Sequence, residues 1–354
     1  MSANLTKLAY QSFHQSKNYF SVAHKTLSKQ IHKILYPEFQ PKITPLSGEI
    51  VEEVQKRLND LLEIDWEDAQ KGIYPQSLLF ENSWEDFFQY YPVVCFDLLQ
   101  VWERIHKGRY QEFSPEIPKD IYPSYYLQNF HYQTDGYLSE ISANLYDLQV
   151  ELLFGGSTDA MRRRILAPMK HKLEVFTDIP QKQIRILDVA CGTGRTLKLI
   201  RSALPQVCLY GTDLSPNYLK KANSLLSQIL GELPQLAQAN AEELPYRDDY
   251  FHATVAVFLF HELPSHVRQT VIEQCFRVTK PGGVFIICDS IQLSDAPHLA
   301  SVMNNFYQTF HEPYYHHYMT DDLSGYLEKA GFENVQTQVH FMSKFWVAHK
   351  AILC

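Results

Sequence analysis

Leu187-Asp188-Val189-Ala190-Cys191-Gly192-Thr193-Gly194 closes a β-branched run, residues 184–189, and opens a helix near Arg195. Gly192 and Gly194 permit a sharp turn and a close approach of ligand to backbone, and the new helix offers unpaired N–H groups. A Gly-x-Gly turn alone is a weak signal, and two acids sharpen it. Asp188 lies just ahead of the glycines, and Asp213 ends the next apolar run, 207–212, where a carboxylate can accept both hydroxyls of a ribose. The spacing fits a cofactor that carries a nucleoside. A nicotinamide dinucleotide fits less well, because its fingerprint places a third glycine where Leu197 stands.

Working outward, strand-like runs at 184–189, 207–212, 236–239, 253–260 and 284–289 alternate with helical stretches at 196–203, 216–230, 265–278 and 322–330. Such alternation predicts an α/β fold with a parallel sheet. Two last strands, 334–340 and 344–349, are joined by a short turn and predict an antiparallel hairpin, for seven strands in all. Upstream the texture is helical. Apolar residues recur with helical spacing from Leu5 to Leu35 and again through Ile50, Val54, Leu58 and Leu62, and Pro92 divides two further stretches, 84–91 and 93–105. Pro115, Pro118 and Pro123 make 113–126 a linker or ordered loop, and 139–154 and 158–176 read as two more helices. The expected organisation is therefore a helical N-terminal domain over 1–125, a helical linker or lid over 126–180, and a ligand-binding α/β domain over 181–354.

Composition narrows the function classes. The chain has 354 residues, 45% hydrophobic and 20% charged, with 14 Gly and 18 Pro, so it is long enough for two cored domains and is neither collagenous, coiled-coil nor disordered. Net charge is −8 and no basic stripe occurs, which disfavours a nucleic-acid partner. The six cysteines, Cys95, Cys191, Cys208, Cys275, Cys288 and Cys354, form no CxxC pair, the N-terminus has no apolar signal core, and no run reaches membrane-span length. A cytoplasmic chain without a membrane span is the expectation.

The turn at 188–194 resembles the first motif of the class I S-adenosylmethionine-dependent methyltransferases. The resemblance continues through Tyr210-Gly-Thr-Asp213-Leu-Ser215, Ala239-Asn240-Ala-Glu242-Glu243-Leu-Pro245 and Arg277-Val-Thr-Lys-Pro281-Gly-Gly283, over about half of the chain. The last two segments look most like the small-molecule branch that includes ubiquinone and menaquinone C-methyltransferases. It implies a Rossmann-like seven-stranded methyltransferase sheet, S-adenosyl-L-methionine as cofactor, and a cofactor site built from Asp188, Ala190, Cys191, Gly192, Gly194, Asp213, Leu214, Asn240, Ala241 and Glu242. In it Asp213 binds the ribose, the backbone of 190–194 cradles the methionine end, and Asn240, Ala241 and Glu242 surround the adenine. Ala190 replaces the family's first glycine and Asn240 stands where an Asp is usual, and neither change forbids binding. His252, in place of another frequent Asp, is expected to be structural.

The acceptor site should lie beyond the carboxyl ends of the strands, where Phe258-Leu-Phe260-His261-Glu262-Leu-Pro264 leaves the fourth. His261 and Glu262 are the catalytic candidates, His261 as a proton acceptor; capping or packing beneath the next helix is the alternative for it. Tyr132 and Tyr137, from the polar aromatic segment 131–137, and His311, Tyr314 and Tyr315, from an insertion after the fifth strand, are the acceptor-binding candidates. His311 and Glu312 lack a regular ligand spacing, so no metal is expected. Arg162, Arg163 and Arg164 fit a solvated helix face better than an anion site. Methylation of a small aromatic or apolar metabolite on oxygen or carbon follows. RNA or protein methylation and a non-catalytic cofactor-binding scaffold are the alternatives, and the N-terminal helices stay open as lid, homodimer surface or partner-binding module.

Overall fold

The computed structural model describes residues 3–39, 43–81 and 84–352, so Cys354 lies outside the described residues. One sheet organises the chain. Strands β1 (Arg185–Val189), β2 (Cys208–Asp213), β3 (Gln235–Gln238), β4 (Phe251–Val257), β5 (Thr279–Ser290), β6 (Phe332–His340) and β7 (Ser343–Lys350) lie in the order β3-β2-β1-β4-β5-β7-β6. The first five are mutually parallel, and β7 runs antiparallel to both β5 and β6. This is the mostly parallel seven-stranded methyltransferase sheet with its terminal hairpin. The order reverses at β1, and the crevice for a ligand opens above that switch point.

Both faces of the sheet are covered, and the side chains show it with a period of two. Ile186, Val255, Val284, Ile286 and Cys288 enter one buried cluster, and Leu187, Ala256, Phe285, Ile287 and Trp346 enter the other. On the second face lie α9 (Ser265–Val278), α10 (Ala300–Thr309), α11 (Tyr315–Tyr318) and α12 (Leu323–Ala330). The first face carries α7 (Arg195–Ala203) and α8 (Pro216–Leu226), but also much of the N-terminal region. Tyr10 of α1 (Ala3–Leu35), Leu58, Leu61 and Trp66 of α2 (Gly48–Gln70), Met161 of α5 (Thr158–Arg163) and Met169 of α6 (Leu166–Leu173) share that cluster with the sheet. The helices thus pack into the same core as the strands. Among the described residues, no helix is long and apolar enough to cross a membrane.

Four expectations are corrected. Helix α3 (Trp84–Lys107) continues through Pro92, where Val94 and its neighbours pack against Leu145 and Leu152 of α4 (Glu140–Leu153). The helix expected over 158–176 is broken into α5, α6 and a short 3-10 turn, since Pro168 removes an N–H and is accommodated in the first turn of α6. Strand β4 stops at Val257 instead of residue 260, where Phe258 adopts a left-handed φ of 58° and turns the chain.

The fourth correction concerns the arginines. Arg162, Arg163 and Arg164 are buried, each facing a carboxylate. Arg163 grips Asp65 of α2 through Nε at 2.8 Å and Nη2 at 2.6 Å, and Tyr10 and Tyr74 donate to the same carboxylate at 2.6 and 2.7 Å. Burial alone would raise the Asp65 carboxyl, but Arg163 and these donors hold it below its ordinary range. Arg164 pairs with Asp68, and Arg162 with Asp159 at 3.0 Å. The helix periodicity of α5 was legible; the α2 carboxylates that meet Arg163 and Arg164, 98 and 96 residues earlier, were not.

Candidate active site

The turn between β1 and α7 is built as its sequence demands. Gly192 and Gly194 have φ of 54° and 82°, and a side chain at Gly194 would meet Ala222 of α8 at 3.0 Å. Ala190 also takes a left-handed φ, 57°, an uncommon conformation for a non-glycine residue. The N-terminal helices clamp this turn from outside. Asp147 of α4 accepts the Thr193 hydroxyl at 2.9 Å, and Asp159 of α5 pairs with Arg195, the first residue of α7.

Above the turn lies a crevice of about 120 Å³ lined by Ala190, Gly192, Asp213, Leu214, Asn240 and Ala241, with Tyr126, Tyr137, Tyr146 and Tyr218 forming its walls. Asp213 is fixed by the N–H groups of Gly192 (2.9 Å) and Ser215 (2.8 Å), while burial raises its carboxyl to about 6. Asp188 is buried and neither of its oxygens has a hydrogen-bond partner; burial, then the nearby Asp213, pushes it well up. Two buried carboxyls beneath a glycine turn, one of them without partners, suit a ligand that brings ammonium and hydroxyl donors. The residues present therefore fit S-adenosylmethionine in their chemistry.

Of the other residues expected around the cofactor, Asn240 and Ala241 line the crevice, whereas Cys191 and Glu242 do not. Cys191 points into the core, where burial, then Asp188 and Asp213, push its thiol well above its usual range, so it is no nucleophile. Asn240 Oδ1 accepts the Glu242 N–H at 3.0 Å, and Glu242 accepts the Tyr125 hydroxyl at 2.6 Å, which closes that loop on the aromatic wall. His252 Nδ1 accepts the Arg185 N–H at 3.0 Å inside the sheet.

Beside the crevice is a second cavity of about 310 Å³, and Tyr146, Phe258 and Glu262 line both. Its walls include Val302, Met303 and Phe306 of α10 and Phe341, and its polar end is formed by His131, His261, Glu262, Ser290 and Tyr315. The turn at Phe258 places His261 there. Asp289, at the end of β5, accepts from the N–H groups of Phe260 and Ser290, both at 2.7 Å, and its Oδ1 lies 2.6 Å from His261 Nδ1. Burial would lower the His261 imidazole, but Asp289, then Glu262 and Glu312, outweigh it and raise it to about 9. Glu262 receives the Tyr137 hydroxyl at 2.5 Å. His131 Nε2 lies 2.9 Å from Glu312 and 3.5 Å from Glu262, and those charges raise it to about 10 against the opposing effect of burial. Buried Arg268 ties this end to the insertion, donating to Phe260 O, Tyr314 O and Asp321.

Of the acceptor candidates, Tyr315 lines the larger cavity and Tyr137 the crevice. Tyr132, His311 and Tyr314 line neither. His311 stacks on Tyr110 and makes a tilted contact with Tyr132, and the Tyr314 hydroxyl donates to Tyr125 O at 3.3 Å, so these three bind the insertion to the segment before the sheet. Sequence reasoning missed Tyr126, Tyr146 and Tyr218 in the crevice and Asp289 beside His261. An acid ending β5 was a usable signal, as it had been at β2; the tyrosines carried none.

Residues 186–283 match the methyltransferase domain family. The demethylmenaquinone methyltransferase of Geobacillus stearothermophilus is 33% identical over 113 residues, 32% of this chain and 47% of that protein. That of Anoxybacillus flavithermus is 28% identical over 180 residues, 45% of this chain and 73% of that protein. The chain thus spans about half the length of the first of these relatives. Among solved structures, human N-acetylserotonin methyltransferase in complex with S-adenosylmethionine is 13% identical, covering 75% of this chain and 70% of its own at a TM-score of 0.47.

Proposed function

We propose that this chain, whose residues 186–283 form a class I methyltransferase domain, transfers a methyl group from S-adenosylmethionine to a small, largely apolar aromatic acceptor, on oxygen or on ring carbon. One observation carries the reading: an apolar cavity of about 310 Å³, the size of a small-molecule site, abuts the nucleoside crevice at Phe258 and Glu262. His131, His261, Glu262, Ser290 and Tyr315 form one polar end, and Asn18, Lys25 and Gln55 line the cavity from the N-terminal helices. A second apolar cavity of about 260 Å³, lined by Val94, Leu98, Val101 and Leu152, shares His131, Tyr146, Val150 and Leu153 with it, which favours an acceptor that carries an apolar extension. The demethylmenaquinone methyltransferases among the relatives support a hydroquinone-like ring.

The cofactor supplies an electrophilic methyl carbon on a sulfonium. What the chain must do is align the acceptor in line with that carbon and take away the acceptor's proton. Phe258, Tyr146 and Phe306 are placed to hold the ring, and His261, oriented by Asp289, is placed to hold the proton. Held at about 9, the imidazole is mostly protonated at neutral pH. As the base, it should make turnover rise about tenfold per pH unit from pH 7 until the profile levels near pH 9. His261→Gln should bind S-adenosylhomocysteine like wild type, turn over roughly 100-fold more slowly or less, and lose that rise. A flat wild-type profile with full turnover in the variant would remove His261 from this role. The ion pair sets stability in the opposite sense: raised above its ordinary value of 6.5, His261 stabilises the fold fully below pH 6.5 and ceases to as pH climbs through about 9.

A further inference from the structure

At the polar end of the larger cavity three side chains converge from three separate parts of the chain. His131 comes from the loop before the sheet, Glu262 from the turn after β4, and Glu312 from the insertion after β5. One ligand atom of each lies within 4.8 Å of the other two. His131 Nε2 is 2.9 Å from Glu312 Oε1 and 3.5 Å from Glu262 Oε1. Two donors held at ~2.1 Å from one ion are at most ~4.2 Å apart, so small side-chain adjustments bring all three onto a common centre.

Beyond the His131 imidazole that both face, and the Tyr137 hydroxyl and His261 imidazole that meet Glu262 Oε1, these carboxylates have acceptor capacity to spare. Glu312 is 1% exposed, yet neither of its oxygens has an aligned hydrogen-bond donor, and Glu262 Oε2 has none either. Buried carboxylate oxygens are costly unless they meet a cation, a role that the pairing with His131 fills in this structure and that a bound metal ion would take over. The backbone is arranged to present the imidazole here. His131 and Tyr132 both take left-handed φ, 55° and 57°, and the His131 N–H donates to His311 O at 3.1 Å, locking its loop to the loop that carries Glu312. An uncommon conformation kept at two successive non-glycine residues stores strain, a feature that clusters at functional sites.

We propose that His131, Glu262 and Glu312 bind a divalent transition-metal ion at the polar end of the acceptor cavity. One imidazole and two carboxylates suit Zn²⁺, Mn²⁺, Fe²⁺ or Co²⁺ better than a soft ion, and three protein ligands leave positions open. His131 and Glu262 both line the cavity, so an open position faces it and suits an acceptor's hydroxyl oxygen. That last step rests on the proposed methyl-transfer reading, whereas ion binding does not.

The test is to strip the full chain of metal and titrate it with Co²⁺, following ligand-field absorption, and with Zn²⁺ by calorimetry, each with and without S-adenosylhomocysteine. Wild type should bind one ion per chain. Glu312→Gln and His131→Gln should bind it roughly 100-fold more weakly or worse, since even the outer-shell partners of metal ligands are worth about 10–100-fold. His311→Gln, which removes a ring that stacks on Tyr110, should bind the ion like wild type. Unchanged binding of S-adenosylhomocysteine by the two ligand variants shows that they are folded. Wild type that takes up no ion while binding S-adenosylhomocysteine, or ligand variants that bind the ion like wild type, would overturn the site and leave the methyltransferase reading standing. Ion binding without any affinity for S-adenosylhomocysteine would overturn that reading and leave the site.

Discussion

Replacing Asp213 by alanine is expected to abolish measurable binding of S-adenosylhomocysteine in a calorimetric titration, while wild type binds it without any acceptor present. Asp213 is the carboxylate that β2 delivers to the rim of the crevice, already held by the Gly192 and Ser215 N–H groups at 2.9 and 2.8 Å. Those two bonds orient it, so its remaining lone pairs are directed before a ligand arrives. Two ribose hydroxyls donating to a charged acceptor contribute about 1.5–3 kcal/mol each. Their joint loss weakens binding by roughly 100-fold or more. The pH dependence has a definite sign. Burial holds this carboxyl at about 6, so affinity should decline as pH falls through 6 and the acceptor is lost. Without ligand, the same raised value makes the group's contribution to stability decline as pH rises from its ordinary 3.8 to about 6, and bound cofactor should offset that decline. Equal affinity in wild type and Asp213→Ala, or affinity that ignores pH between 5 and 7, would show that the ribose is held elsewhere.

The second large effect is expected far from the crevice, at Asp65. This carboxylate is 0% exposed and takes four hydrogen bonds from Arg163, Tyr10 and Tyr74, which joins α1, α2 and α5 at one point against the sheet. Asp65→Ala leaves the Arg163 guanidinium buried without a counter-charge, and breaking a buried pair in this way costs about 3–5 kcal/mol. Chemical denaturation should register that loss. The double variant Asp65→Leu, Arg163→Met should recover much of it, because an apolar pair of similar volume removes the orphaned charge instead of creating one. A single variant as stable as wild type would mean that the helices are held to the sheet by their apolar contacts alone. Since α5 also carries Asp159, which pairs with Arg195 at the start of α7, loosening Asp65 should weaken cofactor binding as well.

The lining of the two cavities was only partly legible beforehand. His261 and Glu262 announced themselves by position, directly after the fourth strand, and Tyr137 and Tyr315 by their polar aromatic neighbourhoods. Tyr132, His311 and Tyr314 carried the same kind of signal and were placed in struts between loops instead. A local pattern reports that a segment is aromatic and polar, but not whether it faces a cavity or another segment. Arg162, Arg163 and Arg164 illustrate the same gap. A run of three charges reads as a wet surface until a partner element supplies carboxylates to bury it against.

What the sequence by itself determined rests on short-range geometry. The β-branched runs, the glycine turn, the acids at the ends of β1 and β2 and the terminal hairpin are properties of neighbours in the chain, fixed by backbone sterics and by alternation of side chains. They were enough for the α/β fold and for the glycine turn at the head of β1. Tertiary structure alone decided that α1, α2, α5 and α6 share a core with the sheet, that Asp289 orients His261, and that His131 meets Glu262 and Glu312. Each of these joins residues brought together only by packing, and burying a charge is tolerable only where packing supplies its opposite.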